Sequence, residues 1–199
     1  MSPARAARLA IHPLTPERWG DFETLFGKNG ACAGCWCTWW RMGQSAWLEK
    51  KGIGTKRMMR ALVKKGPPPG LLAYAGGEAV GWCALAPRED YPRLSRSKIL
   101  APVDDAAVWS VTCFFVRRDW RRRRVTVALL NEAARWVAKR GGHLLEGYPT
   151  DTDQEQPAAF VYHGLLGAFR RAGFREVARR SKTRPIVRRK AATASEGSR

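Results

Sequence analysis

The chain has 199 residues, enough for one domain with its own core, and 45% of them are apolar, as in a folded globular protein. Its 36 Lys and Arg outnumber 17 Asp and Glu, and the net charge of +19 favours anionic partners: nucleotides, acidic substrates, anionic lipid or nucleic acid. The sequence holds no apolar run of about eighteen residues, which excludes a helical membrane span.

The basic opening lacks an apolar signal core, so a cytoplasmic setting is expected. The five cysteines, an odd number, then read as thiols or ligands rather than a disulfide frame. Leu9 to Leu14 is a strand candidate. Thr15 is placed to cap a helix with Pro16 at its first position, running to Phe26. Gly27 to Gly43 is rich in turns, aromatics and cysteine, and Thr55 is expected to cap a basic helix over Lys56 to Lys65. The Gly66-Pro-Pro-Pro-Gly70 run forms a stiff connector. Leu71 to Ala75 and Ala79 to Ala86, joined through Gly76-Gly77, read as a hairpin. Pro87 to Pro102 is a polar excursion with room for one helical turn.

Val108 to Val116 is the strongest strand. Val125, Leu129, Ala133, Trp136 and Val137 recur at helical spacing, so a helix runs from Val125 to Arg140 and stops at Gly141-Gly142. His143 to Tyr148 is the next strand, and Pro149 to Pro157 an acidic loop. Val161, Leu165, Phe169 and Ala172 line a further helix that ends at Gly173, followed by strands over Phe174 to Ala178 and Pro185 to Arg189. Residues 190–199 are small and polar and are expected to be a disordered tail. Helices alternate with strands in the middle and hairpins flank them. The expected fold is a single α/β (α+β) domain over residues 8–189, with a central mixed, mostly antiparallel twisted sheet and helices on both faces.

Between the strong strand and its helix lie four arginines, Arg121, Arg122, Arg123 and Arg124. A strand that leads positive charge and unpaired amides into the first turn of a helix makes an anion trap. Guanidinium groups add bidentate contacts to phosphate. The corner therefore points to a phosphate-bearing ligand.

This strand–turn–helix, the Ala-Gly-Phe174 step from helix to strand, and the order of elements together resemble the GNAT superfamily of N-acetyltransferases. The resemblance implies acetyl-CoA as co-substrate and direct acetyl transfer to an amine of a small molecule or protein, through a tetrahedral intermediate. It assigns main-chain groups of Phe114 and Val116 to the acetyl and pantetheine arm, and Arg121 to Arg124, Val125 and Thr126 to the diphosphate. Arg124 and Thr126 stand where the family carries small residues. A positive φ at Arg124 would cost roughly 1–2 kcal/mol. The family's tyrosine acid aligns with Phe169, which cannot donate a proton.

Glu146, in Leu-Leu-Glu-Gly-Tyr, is the candidate base if it is half-buried beside the central strand. It can equally lie on the solvent face or pair with an arginine. Tyr162 and Tyr148 are candidates for acid or positioning, with His163 the next choice. Cys32, Cys35 and Cys37 have zinc-like spacing but no nearby fourth ligand; His12 and Cys83 are remote options, so no metal is assigned. In the family this loop lies where acceptors dock, which makes Trp36, Trp39 and Trp40 a candidate wall for a cationic amine, with Tyr148 beside them. Two other readings are open: a nucleic-acid-binding domain, and a catalytically degenerate relative with a sensory or scaffolding role. A homodimer is compatible with the sequence.

Overall fold

A computed structural model describes residues 8–154, 156–157 and 160–192. Seven strands form one sheet: β1 Ala10–Pro13, β2 Gly70–Ala75, β3 Glu78–Pro87, β4 Trp109–Val116, β5 Leu144–Gly147, β6 Arg175–Arg179 and β7 Pro185–Lys190. Their spatial order is β1-β2-β3-β4-β5-β7-β6. Every neighbouring pair is antiparallel except β4 with β5. Six α-helices are present among the described residues: α1 Trp19–Phe26, α2 Gln44–Lys50, α3 Ile53–Lys65, α4 Pro92–Ser95, α5 Val125–Ala138 and α6 Leu166–Arg171.

Side-chain alternation along β2 and β3 separates two cores. Leu71, Ala73, Cys83 and Leu85 face the α5 side, where Val125, Leu129, Ala133 and Val137 cover them. Leu72, Tyr74, Trp82 and Ala84 face Phe22, Phe26, Trp36 and Met59 on the α1 and α3 side. Both faces are therefore closed, which explains why β2 is buried at every position instead of alternating. Gly81 in β3 matters to the corner: a Cβ there would stand 2.7 Å from Val125, the first residue of α5. Glycine lets that helix begin directly on the sheet.

The structure shifts three expected boundaries. Helix α2, seven residues or about two turns, occupies a stretch between Gly43 and Thr55 to which the sequence pattern assigns no element. Helix α3 starts three residues early: Gly52 is its N-cap, and Thr55, the expected cap, instead accepts the Gly52 amide at 3.0 Å from within the first turn while donating to Gly34 at 2.6 Å. The helix expected from Val161 begins only at Leu166, because the backbone before it is spent elsewhere. Thr150 donates to Gly164 at 2.8 Å, Leu166 donates back to Thr150 at 3.0 Å, and Gly164 takes φ +80°. Of the expected disordered tail, Lys190 closes β7, while residues 193–199 lie outside the described residues.

Candidate active site

The corner after β4 is built from left-handed turns. Arg122 has φ +61° and Arg124 φ +59°. Arg124 is the N-cap of α5, makes no side-chain cap, and has no acidic residue following it in the first turn. The first helical bond runs from Ala128 to Arg124 at 3.0 Å. The amides of Val125, Thr126 and Val127 therefore have no helical acceptor and face out of the helix start. The arginines around them are exposed. Arg121 donates to the Val116 carbonyl at 3.2 Å, and Arg123 lies over Trp120 at 5.1 Å. Arg117, in contrast, is held by Glu78 and Asp119, each at 2.8 Å.

Upstream of the corner the sheet parts. The last β4–β5 pair is Val111 with Gly147. On the other edge Leu85 pairs with Val111 and Ala84 with Cys113, which leaves Thr112 as an extra residue in β4. Such a bulge bends the strand and sharpens its twist. From Thr112 to Val116 the edge of β4 has lost its parallel neighbour. The segment around Tyr162 lies there instead: the Phe114 amide donates to the Tyr162 carbonyl at 2.6 Å.

Tyr162 is partly buried, and burial first, then the nearby Cys113, hold its phenol protonated well above the ordinary range. His163 is 2% exposed. Its ring packs on Trp40 at 5.3 Å and hydrogen-bonds the main chain of Thr112, while Nδ1 has no partner. Burial, reinforced by the charge of Arg184, holds this imidazole neutral well below its usual titration range.

The expectation of a half-buried Glu146 facing an incoming ammonium gives way to a fully buried carboxylate. One oxygen accepts from Arg88 at 2.6 Å and from the Tyr148 hydroxyl at 2.7 Å; the other accepts from Arg188 at 2.7 Å. Arg188 continues to Asp104 at 2.7 Å. Tyr148 is buried too, bonded to Ser110 at 2.8 Å, so it faces this network and not an acceptor. Sequence spacing could not show the two arginines, which lie 58 and 42 residues from Glu146 along the chain. Phe169 likewise packs inward, against Phe114 and Phe174.

The cysteine–tryptophan loop splits between core and surface. Trp36 is 4% exposed and stacks on Phe26 at 5.7 Å, inside the α1 core, away from the other two candidates. Cys37 accepts from the Trp82 indole at 3.1 Å. Burial opposes its ionisation, but hydrogen bonds from Cys113 and Trp82 and the charge of Arg41 bring the thiol below its ordinary value. Burial pushes Cys35 up to about 11. Cys32 is exposed. Among the described residues no group of three or more His, Cys, Asp or Glu is placed to hold a metal ion. Trp39 and Trp40 do line a cleft of about 430 Å³, with Arg93 and Arg96 across from them.

The chain belongs to the acetyltransferase (GNAT) family: residues 36–167, more than half its length, match the family model. Similar solved structures include an acetyltransferase of the GNAT family from Streptococcus pneumoniae, at 13% identity over 93% of this chain and 100% of that one, TM-score 0.53. The GNAT domain of S. lividans PAT shares 14% identity over 96% and 99%, TM-score 0.51. A GNAT acetyltransferase from Listeria monocytogenes shares 8% over 92% and 94%, TM-score 0.52. At such identities the likeness speaks for the fold. No curated protein sequence matches the chain.

Acetyl-CoA is the co-substrate of this family. The residues present fit its diphosphate end, where the uncapped start of α5 offers three amides amid exposed arginines. Toward the thioester end the amide of Phe114 is engaged by Tyr162. Among the described residues no helix is long and apolar enough to cross a membrane.

Proposed function

We propose that the protein moves an acetyl group from acetyl-CoA to a primary amine of a small molecule or protein. One observation carries this reading: the uncapped first turn of α5 follows directly from a bulged strand whose edge has lost its neighbour. A diphosphate at the first and an extended arm along the second is the arrangement these two features serve.

Acetyl-CoA supplies an activated acyl thioester. Arg121 to Arg124 hold the phosphate charge, and the amides of Val125 and Thr126 donate to it. Phe114 and Val116 present main-chain groups along the free edge of β4; an amide there that meets a developing oxyanion is worth roughly 2.7–4 kcal/mol. For this the carbonyl of Tyr162 must release the Phe114 amide.

An alkylamine is protonated near neutral pH and must lose that proton before it attacks. The unpartnered Nδ1 of His163, beside Thr112, is the basic atom we assign to this step, in preference to Glu146, whose oxygens are already bonded. The phenol of Tyr162 stays protonated and serves as proton donor to the departing thiolate. We also place the protein in the cytoplasm.

Calorimetry with CoA and acetyl-CoA, followed by thiol release over an amine library, tests the reading. Saturable binding and amine-dependent thiol release are expected. No binding up to about 1 mM would reject it. Tight, steeply salt-dependent retention on nucleic acid in its place would favour the binding-domain alternative.

A further inference from the structure

The cleft lined by Trp39 and Trp40, whose Trp40 ring packs on His163, carries the wrong chemistry for a purely cationic acceptor. An aromatic wall attracts an ammonium ion through exposed ring faces. Here the Trp39 face is covered by the protein's own Arg93, whose guanidinium carbon lies 3.5 Å from the ring centroid. Arg93 and Arg96 both line the cleft, and Arg96 lies close enough to disfavour the charge on Arg93. Among the described residues neither has a carboxylate partner; Asp90 pairs with Arg41, at 3.4 Å. Arg184, near Tyr162 and His163, also lacks one among the described residues; its guanidinium donates to the Tyr148 carbonyl at 3.4 Å. Burial, foremost, makes the charge of both Arg93 and Arg184 harder to hold.

The donors around Arg93 are poorly used. Its two terminal nitrogens reach the Trp39 carbonyl and Gln44 only at 3.4 Å each. Stacking on the indole fixes the plane of the guanidinium and leaves its edge to meet a ligand. A planar two-oxygen acceptor matches that edge bidentately. The indole Nε1 of Trp40, in the same wall, is buried with no hydrogen-bond partner. Two arginines without carboxylate partners among the described residues thus line a cleft with an aromatic wall.

We infer that the acceptor is an amine that also carries a carboxylate, anchored on Arg93 and Arg96, so that its amino group extends past Trp40 toward His163. This rests on the transferase reading given above and names the substrate class of that site. The anchor holds either a free amino acid or a peptide with a carboxylate near its amine.

The test compares α-amino acids with their carboxamides and their decarboxylated amines, and adds short peptides with a free or amidated C-terminus. Thermal shift measures acceptor binding without coenzyme, calorimetry measures CoA, and thiol release measures turnover. Carboxylate forms should stabilise the protein where matched amides do not, with KM at least about tenfold lower. Arg93→Gln combined with Arg96→Gln should abolish that preference while CoA affinity stays within twofold. Arg93→Lys, which keeps the charge but not the fork, should recover only part of it. Preference for free amino acids over peptides identifies the first source, and the reverse the second. Equal or better use of the amides or decarboxylated amines, or a carboxylate-induced shift untouched by the double variant, overturns the inference while CoA binding stands. Absence of CoA binding overturns the transferase reading, and the thermal-shift comparison still decides whether the cleft selects carboxylates. Variants whose melting shows misfolding are replaced by Arg96→Gln alone, which is exposed and must still weaken the carboxylate preference.

Discussion

Phe114 gives its amide proton to the carbonyl oxygen of Tyr162 across 2.6 Å, so the stretch of β4 abandoned by β5 after Val111 is joined by a turn instead of a strand. Under the proposed transferase reading, that bond and a pantetheine arm would compete for one donor, and binding would couple to displacement of the segment around Tyr162, which is also tied to Thr150 through Gly164.

Hydrogen exchange reads this competition. CoA at saturation should speed exchange of the Thr150 and Leu166 amides, which are bonded to Gly164 and Thr150 in the free protein, while protecting Val125 to Val127. Full CoA binding with unchanged exchange at Thr150 and Leu166 would show that the arm does not use this edge.

Arg124 occupies a left-handed conformation at φ +59°. Glycine has no Cβ clash there, so Arg124→Gly should raise stability by about 1 kcal/mol, read from denaturant unfolding. Arg124→Ala removes the same charge and keeps the strain, and should give none of that gain. Equal effects of the two substitutions would locate the difference in charge and not in backbone conformation.

Glu146→Ala removes the buried carboxylate that joins Arg88 to Arg188, leaving Arg88 without its counter-charge and Arg188 with Asp104 as its remaining partner. The expected loss is about 3 kcal/mol of stability. Glu146→Gln should lose less and retain turnover in whatever fraction stays folded. A Glu146→Gln protein of native stability that has lost the amine-dependent step would restore the base role to this carboxylate.

His163 makes stability depend on pH in a stated direction. In the unfolded chain its imidazole takes up a proton near 6.5, whereas in the fold burial holds it neutral well below that value. Between those two values the unfolded state binds more protons, so stability falls as pH drops from 7 toward 5. His163→Gln should flatten that slope, and should also lower kcat more than KM for the amine. An unchanged slope between pH 7 and 5 would show that another group causes it.

The linear sequence carried the elements whose pattern repeats over several residues. The glycine-turn hairpin, the strand ending at Val116 and the seam of α5 all follow from alternation or helical spacing, and local polarity alone sets those. The basic corner at the start of α5 was legible too, since charge and the strand–helix junction are adjacent in the chain. What the sequence could not hold was any relation between distant residues. The pairing of Glu146 with Arg88 and Arg188, the packing of Trp36 in one cluster with Trp82 of β3, and the capture of Phe114 by Tyr162 each join segments separated by at least one other element. Helix α6 lost its expected first turn for the same reason: backbone donors and acceptors that helical spacing would have claimed were closer to Thr150 and Phe114. Local periodicity thus determined which segments order and which face turns inward, while the bulge at Thr112 and the packing across the sheet decided which of the polar groups are left open to do chemistry.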